Sequence, residues 1–304
     1  MWIDAVLPLA LRDASRAEFL FESLKLNFSG LRRIWVICPE SQLHEIKQKF
    51  SVLSLPFELC IESELRVVPE FNIKVRQSGW FKQQLIKLAI HEFIESDLYL
   101  TLDADVVCAR PVTAAQLIED GRGRCFLVYP NHYGYWYQRV NDVLRLKSAG
   151  HRGLHNVTPA LLHRKAVKEL KEKIEQMLCA RLYSKGWRGV KQRWHLWVNR
   201  NSVTYAPWRI FLVAARPWTE YALYYTFLEA NGRFDEYHYY SDVCLYDVER
   251  SLWAASNGEL PDQWIPAPAF IGEGPPWFLV AQSNTGISAE VIRERLEPLL
   301  KKSL

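Results

Sequence analysis

Up to Pro111, the chain alternates between short apolar segments and segments with helical spacing, and few folds accept that order. The apolar segments WIDAVLPLA, RRIWVICPES, FELCIESE and DLYLTLDADVV each predict a strand, and the last is the most apolar. The stretch WFKQQLIKLAIHEFI, before that last strand, predicts a helix. Strands that alternate with helices form mostly parallel sheets with helices on both faces. We therefore expect an α/β fold built on a Rossmann-type sheet.

The second half of the chain is less regular, although two helices stand out. The stretch HRKAVKELKEKIEQMLCARL has apolar side chains along one side, namely Val167, Leu170, Ile174, Met177 and Leu178. A second helix is predicted through WTEYALYYTFLEANGRF, with Thr219 as its N-cap and an Asn-Gly pair at its end. No repeat or linker divides the chain. We expect one domain, residues 1–304, with a regular half, 1–112, and an irregular half, 113–304.

The composition excludes several classes of protein. A hydrophobic fraction of 49% and a charged fraction of 24% are those of a globular chain, and a net charge of +4 is too weak to predict nucleic-acid binding. Six scattered cysteines without a CxxC pair favour free thiols in a reducing compartment. The N-terminus has no basic leader, and no apolar run reaches the roughly 18 residues of a membrane-spanning helix. We expect a cytoplasmic protein.

Two carboxylates close the most apolar strand, in the segment LTLDADVV. Asp103 and Asp105 would share one face of a continuing strand, or would converge on a cation from a turn. Ligands of open parallel sheets bind at the carboxyl ends of the strands, and Mg²⁺ or Mn²⁺ takes carboxylate and phosphate oxygens. The bland alternative is that Asp103 caps a turn and Asp105 begins a loop. Burial of both without a cation or hydrogen-bond partners would be costly, so either a function or a solvent-facing edge must explain them.

Three short motifs make the chain similar to a known group of enzymes. The segment LDADVV, followed by Arg110 and Pro111 and preceded by GWFKQQLIKL, resembles the donor site of GT-A glycosyltransferases. More narrowly, it is similar to a group of bacterial polysaccharide-cluster proteins with two further motifs. Their positions here are Trp80, Gln83, Gln84 and Lys87 before the strand, and Thr219, Glu220, Tyr221, Leu223 and Tyr224 later in the chain.

The resemblance implies a GT-A-like fold and a glycosyltransferase. Such an enzyme moves a sugar from a nucleotide-sugar donor to a hydroxyl of a glycan or lipid-linked glycan, assisted by Mn²⁺ or Mg²⁺ at a DxD motif, here in bacterial surface polysaccharide biosynthesis. It also implies that residues 1–112 bind the nucleotide sugar and residues 113–304 bind the acceptor.

The donor site should extend to the helix that precedes the DxD strand. The amino end of that helix is expected beside the carboxyl end of the strand, which places Lys82 and Gln83 near the site. We add Trp80 from the resemblance and Pro8 at the end of the first strand. Three further polar residues follow along one helix face, where a solvated surface is the alternative explanation: Gln84, Lys87 and His91.

Glu220 is the leading candidate for a general base. It follows the predicted N-cap, in the first helical turn, where the helix dipole stabilises an ionised carboxylate. An inverting transferase needs such a group to take the proton of the acceptor hydroxyl. Simple complementation of the dipole is the alternative explanation. Rival carboxylates with less support are Asp235, Glu236 and Asp242.

Candidates for the acceptor and for a third metal ligand come from the resemblance. His155 and Thr158, in GLHNVTPALLHRKAV, and Tyr221 would contact the acceptor, unless the first two only belong to a loop before the long helix. Many GT-A enzymes have a late histidine as third metal ligand, but no histidine follows His238. We therefore assign Gln282, at the end of the apolar segment PPWFLVAQ, or water to that position.

Two other regions have a composition typical of binding sites. The tract 181–200 mixes arginine and lysine with tryptophan, which suits peripheral contact with a membrane and a lipid-linked acceptor. A basic surface with tryptophans packed inward is the more ordinary explanation. The segment YPNHYGYW, 129–136, has the composition of a binding loop.

Two alternative functions remain open at this point. A nucleotidyltransferase uses a related sheet and the same cation, but it would usually carry a glycine-rich basic loop after the first strand, where this chain has LPLALRDAS. A noncatalytic carbohydrate-binding protein on the same fold would bind sugar without turnover.

Overall fold

The computed structural model describes most of the chain. The described residues are 1–51, 56–61, 79–126, 134–146, 158–182, 218–253 and 263–302, with residues 190, 208, 212, 260 and 261. The strands are β1 Ile3–Pro8, β2 Phe28–Ser29, β3 Leu31–Cys38, β4 Phe57–Ile61, β5 Leu98–Thr101, β6 Val106–Cys108, β7 Val112–Thr113, β8 Ile118–Glu119, β9 Arg122–Phe126, β10 Ala160–His163, β11 His238–Ser241 and β12 Phe278–Val280. The helices are α1 Ala14–Asn27, α2 Leu43–Phe50, α3 Gly79–Ala89, α4 Ala114–Leu117, α5 Gly134–Leu144, α6 Arg164–Leu182, α7 Glu220–Ala230, α8 Phe234–Tyr237 and α9 Ala289–Lys302.

A five-stranded sheet with the order β10-β5-β1-β3-β4 forms the centre of the fold. β1 pairs in parallel with β3 and β5, β3 pairs in parallel with β4, and β10 runs antiparallel to β5. The four parallel strands are the four predicted from the sequence. The edge strand β10 comes from the second half of the chain, so both halves contribute to one sheet.

Both faces of this sheet are covered, as the near-continuous apolar strands predict. On β1, Val6 packs in the same hydrophobic cluster as residues of α3, α5, α6 and α7, whereas its neighbours Ala5 and Leu7 pack with α1 and α2. Successive side chains of a strand point to opposite faces, so one fully buried strand serves both layers. The helices on both faces confirm the α/β expectation.

The two helices predicted in the second half are present. In α6, four of the expected apolar residues are buried, Val167, Leu170, Ile174 and Met177, and the side chain of Leu178 lies outside the described residues. Helix α7 begins after Thr219, whose hydroxyl accepts a hydrogen bond from the Ala222 N–H at 3.2 Å, and Asn231 follows its last residue. The expected N-cap is therefore confirmed.

Two sequence features of functional interest fall largely outside the described residues. Within YPNHYGYW, residues 129–133 are not described, and Gly134 begins helix α5, so the end of this segment is helical. Most of the basic tract 181–200 is also outside them. In the part of the chain that the structure describes, no helix is long and apolar enough to span a membrane.

Candidate active site

Asp103 and Asp105 lie in a turn at the carboxyl end of β5, beside β1. The Leu102 N–H donates to Val6 O at 2.8 Å, which continues the pairing of the two strands to the edge of the sheet. The Val106 N–H donates to Asp103 O at 3.2 Å and closes the turn. Of the two geometries that the sequence left open, the structure has the turn, at the sheet edge where ligands of parallel sheets bind.

Asp103 pairs with a buried lysine from α3. The ammonium Nζ of Lys87 lies 2.9 Å from Oδ1 and 3.1 Å from Oδ2 of this carboxylate. The same ammonium lies 3.2 Å from Oε1 of Glu220 and donates to Thr158 Oγ1 at 3.0 Å. These four residues, Lys87, Asp103, Thr158 and Glu220, form what we call the Lys87 cluster. It joins α3, the end of β5, the start of β10 and the first turn of α7.

Two hydroxyl groups support this cluster from beneath. The Tyr221 hydroxyl lies 2.9 Å from Thr158 Oγ1 and 2.7 Å from Thr101 Oγ1. The Tyr221 ring also faces Lys87, whose ammonium lies 5.4 Å from the ring centroid. Thr101, Thr158 and Tyr221 are all buried, so the position of Lys87 is fixed on several sides.

The polar face of α3 is buried instead of solvated. Gln84, Lys87 and His91 are each less than 5% exposed, which contradicts the solvated-surface alternative. Gln84 accepts the N–H of Glu220 at 3.1 Å, and His91 contacts Leu88 O at 2.8 Å through Nδ1. Gln84 and Lys87 thus contact Glu220 of α7, whereas His91, in the turn that follows α3, contacts a main-chain oxygen of α3 itself.

The charges within the cluster oppose the effect of burial. Burial lowers the pKa of Lys87, but the negative charges around it, Asp103 first, outweigh burial and leave the pKa well above its ordinary value. Burial raises the pKa of Glu220, and the nearby Lys87 offsets only part of that rise. Lys87 is therefore a cation throughout the physiological range, held between two carboxylates.

Asp105 is bound by the segment that follows β12. Its Oδ2 accepts the Ser283 N–H at 2.8 Å, and its main-chain oxygen accepts the Ala281 N–H at 2.9 Å. Burial and the neighbouring Asp103 raise the pKa of Asp105 to about 6, against the hydrogen bond from Ser283 and the charge of Arg16. Arg16 itself donates to Ala281 O at 3.2 Å. The ionised form of Asp105 is therefore poorly stabilised by its surroundings, whereas Asp103 is paired with Lys87.

Two neighbouring carboxylates, one of them poorly stabilised as an anion, fit a divalent cation. Among the described residues, no group of three or more His, Cys, Asp and Glu side chains converges as a metal site. Mg²⁺ and Mn²⁺ commonly bind one or two carboxylates and complete their shell with phosphate and water. Gln282 precedes Ser283, the residue that contacts Asp105, and its side chain is half-buried. Gln282 is therefore adjacent in sequence to a residue that contacts Asp105, and its role as a third ligand stays a prediction.

A cavity of about 280 Å³ opens at the same edge of the sheet, where β1 and β3 end. Its lining includes Pro8, Arg12, Gln42, Lys82 and Gln83. Three of the residues expected at the donor site are thus together, at the end of β1 and in the first turns of α3. Arg12 and Gln42 were not expected, although the positive charge of Arg12 lies in the loop that follows the first strand.

The remaining expected residues divide into three groups. Trp80 is 52% exposed and lies outside the cavity lining, with its ring centroid 6.0 Å from that of Trp136. Thr158 and Tyr221 are buried beneath Lys87, and His155 lies outside the described residues. The rival carboxylates are exposed on the surface: Asp235, Glu236 and Asp242.

The sequence contains an indication that Lys87 is buried and paired, which helical spacing alone does not give. Lys87 stands in the apolar run LIKLAI, and a helix that is apolar all round is a buried helix. A lysine within such a helix is almost never fully buried without a partner. The roles of Thr101, Ser283 and Arg16 had no comparable signal, because each depends on contacts between distant segments.

Comparisons with known proteins agree with this fold. A structure of an active-site mutant of LgtC has a TM-score of 0.50 at 12% identity, over 97% of this chain and 96% of that one. The galactosyltransferase LgtC in complex with donor and acceptor sugar analogues has a TM-score of 0.49 at 12% identity, over 99% of this chain and 96% of that one. Mouse xyloside xylosyltransferase 1 in its apo form has a TM-score of 0.44 at 12% identity, over 94% of this chain and 99% of that one. The first of these, the LgtC mutant, shows that the fold is GT-A-like.

Sequence comparison gives the family. No protein of curated function matches the chain. The model of the family described as "Family of unknown function (DUF6492)" matches residues 1–304. The chain therefore belongs to the DUF6492 family.

Proposed function

We propose that this protein is a glycosyltransferase that moves a sugar from a nucleotide-sugar donor to a hydroxyl of a glycan or lipid-linked glycan. One observation carries the proposal. The carboxylate pair Asp103 and Asp105, in which burial disfavours the ionised form of Asp105, lies at the edge of a GT-A-like sheet where a cavity lined by Arg12, Lys82 and Gln83 also opens. A site for a divalent cation next to a site with cationic and amide side chains suits a nucleoside diphosphate.

The donor would bind across the ends of β1 and β5. Lys82 and Arg12 would attract its phosphates, and Gln83 would offer amide hydrogen bonds, because all three line the cavity beside Pro8. A bound Mg²⁺ or Mn²⁺, held by Asp103 and Asp105 with Gln282 or water, would offset the charge of the departing diphosphate. Residues 1–112 would then provide most of the donor site.

The acceptor would bind on the side of residues 113–304, at the first turn of α7. Glu220 would accept the proton of the acceptor hydroxyl, and its raised pKa makes it a stronger base than an exposed glutamate. Its closeness to Asp103, with only Lys87 between the two carboxylates, supports this role. Thr158 and Tyr221 would hold this region in place, and His155 would contact the acceptor. A base of this kind implies inversion at the anomeric carbon.

The biological setting belongs to the same proposal. The resemblance to polysaccharide-cluster proteins supports a role in bacterial surface polysaccharide biosynthesis at the cytoplasmic side of the membrane. The basic, tryptophan-rich composition of 181–200 supports peripheral contact with that membrane, where a lipid-linked acceptor would be found.

A thermal-shift screen tests the donor site. UDP, GDP, CMP and dTDP sugars are added with Mn²⁺ or Mg²⁺ to the wild type, to Asp105→Asn and to Asp142→Ala, a control at an exposed aspartate of α5. One nucleotide class should raise the midpoint of the wild type and the control only when metal is present, since a ligand of the folded state stabilises it. The shift should vanish in Asp105→Asn. A midpoint that no nucleotide changes would contradict the proposal and favour a noncatalytic binding protein.

A further inference from the structure

Lys87 occupies the carboxylate that a cation would need. Its ammonium contacts both oxygens of Asp103, so neither oxygen is free of positive charge in the protein without ligands. The side chain is 3% exposed, and Thr158 and Glu220 hold the ammonium on its other side. A divalent cation at Asp103 would therefore share its ligand with a buried charge of the same sign.

Two cations on one carboxylate repel each other strongly where one of them is buried, as Lys87 is beside the partly exposed Asp103. The repulsion between two cations on one carboxylate is far greater there than in water, because the surroundings are less polarisable. Lys87 cannot leave for solvent, since α7 covers it. The nearby Glu220, 3.2 Å away, gives the ammonium an alternative anionic partner within the cluster.

We propose that Lys87 is a positioning residue that competes with the divalent cation for Asp103, so that the cation binds together with the nucleotide instead of before it. This inference rests on the proposed function. The diphosphate would bring enough negative charge for Lys87 and the cation to be accommodated at once, with the ammonium held more closely by Glu220 and Thr158. The site would then avoid binding a metal without its donor.

A purely structural lysine leads to a different expectation. If Lys87 only holds α3 against β5 and α7, its replacement would loosen the turn that contains Asp103, and metal binding would weaken or stay the same. If Lys87 competes with the metal, its neutral replacement must strengthen metal binding in the absence of nucleotide. The two roles therefore predict opposite directions for one measurement.

The test is a titration with Mn²⁺ in which electron paramagnetic resonance measures the bound metal. It is carried out first without nucleotide and then with UDP or GDP. The proteins are the wild type, Lys87→Met, Lys87→Arg and Lys168→Met, a matched control at an exposed lysine of α6. Without nucleotide, Lys87→Met should bind Mn²⁺ at least about tenfold more tightly than the wild type, because a competing unit charge is gone. Lys87→Arg keeps the charge and should bind about as weakly as the wild type. With nucleotide, the difference in Mn²⁺ affinity between the wild type and Lys87→Met should become smaller.

The outcomes separate the two proposals. Equal or weaker Mn²⁺ binding by Lys87→Met overturns the competition, and nucleotide-dependent Mn²⁺ binding by the wild type would leave the proposed function intact. No Mn²⁺ binding by any protein, with or without nucleotide, overturns both. If Lys87→Met does not fold, as judged by its circular dichroism, Lys87→Gln serves as the neutral variant, since its amide can still donate to Asp103.

Discussion

The ammonium of Lys87 lies 2.9 Å and 3.1 Å from the two carboxylate oxygens of Asp103. Through this contact, helix α3 is joined to the turn that follows β5. The same ammonium reaches Glu220 in α7, which lies far away in the sequence. One buried cation thus fixes the relative positions of the two carboxylates that we place in metal binding and in proton transfer.

Replacement of Lys87 by methionine should destabilise the protein by about 3 kcal/mol, because it leaves the buried Glu220 and the partly exposed Asp103 without their cation. The double variant Lys87→Met with Glu220→Gln should recover part of this loss, since it removes one of the unpaired charges. Urea unfolding of the wild type, both single variants and the double variant measures the coupling. Strictly additive effects would contradict an energetic link between Lys87 and Glu220.

Replacement of Glu220 by glutamine should lower kcat by about 10²- to 10⁴-fold, because a positioned general base contributes that much. The KM for the donor should change little, since Glu220 lies outside the lining of the donor cavity. Steady-state kinetics with the donor found by thermal shift give both constants. A kcat within a few-fold of the wild type would restrict Glu220 to holding Lys87.

Asp105 should make the stability of the metal-free protein depend on pH. Its pKa is raised from 3.8 to about 6, so between these pH values the folded state keeps a proton that the unfolded state has lost. Stability must therefore fall as the pH rises from 3.8 to 6, and the loss is complete above 6. Asp105→Asn lacks this contribution, so its stability relative to the wild type should increase across that range. Urea unfolding at several pH values measures the difference, and a constant difference would show that Asp105 does not titrate there.

The start of α7 should depend on two side chains that satisfy its free N–H groups. Thr219 accepts the N–H of Ala222, and Gln84 accepts that of Glu220. Thr219→Ala should cost about 1 kcal/mol of stability, as is usual for the loss of an N-cap, whereas Thr219→Ser should cost much less. Equal costs in urea unfolding would mean that the threonine methyl group, and not the hydroxyl, supports the helix.

Local patterns predicted the sheet and the carboxylate pair well. The four parallel strands and the capped helix at Thr219 depend on neighbours in the sequence, and Asp103 and Asp105 follow directly from the most apolar strand. The positions of the cavity residues Pro8, Lys82 and Gln83 could also be predicted from the sequence, since a parallel sheet brings the end of β1 and the start of α3 to one edge.

The Lys87 cluster was not predictable in the same way. Helical spacing identified a polar face on α3, but whether that face meets water or protein depends on how α7 packs against it. The contacts of Lys87 with Thr158 and Glu220 join segments that are far apart in the sequence. The position of Lys87 within an apolar run of the sequence indicates that it has anionic partners, but it does not identify them.

The most direct test of the central claim is the release of a nucleoside diphosphate from nucleotide sugars in the presence of Mn²⁺, with glycan and lipid-linked acceptors. The wild type and Asp142→Ala should release it in a metal-dependent reaction that forms a glycosylated acceptor, and Asp103→Asn and Asp105→Asn should not. Metal-dependent binding of the donor by the wild type, with neither release nor transfer to any acceptor, would contradict a glycosyltransferase and indicate a protein that binds the sugar nucleotide without reaction.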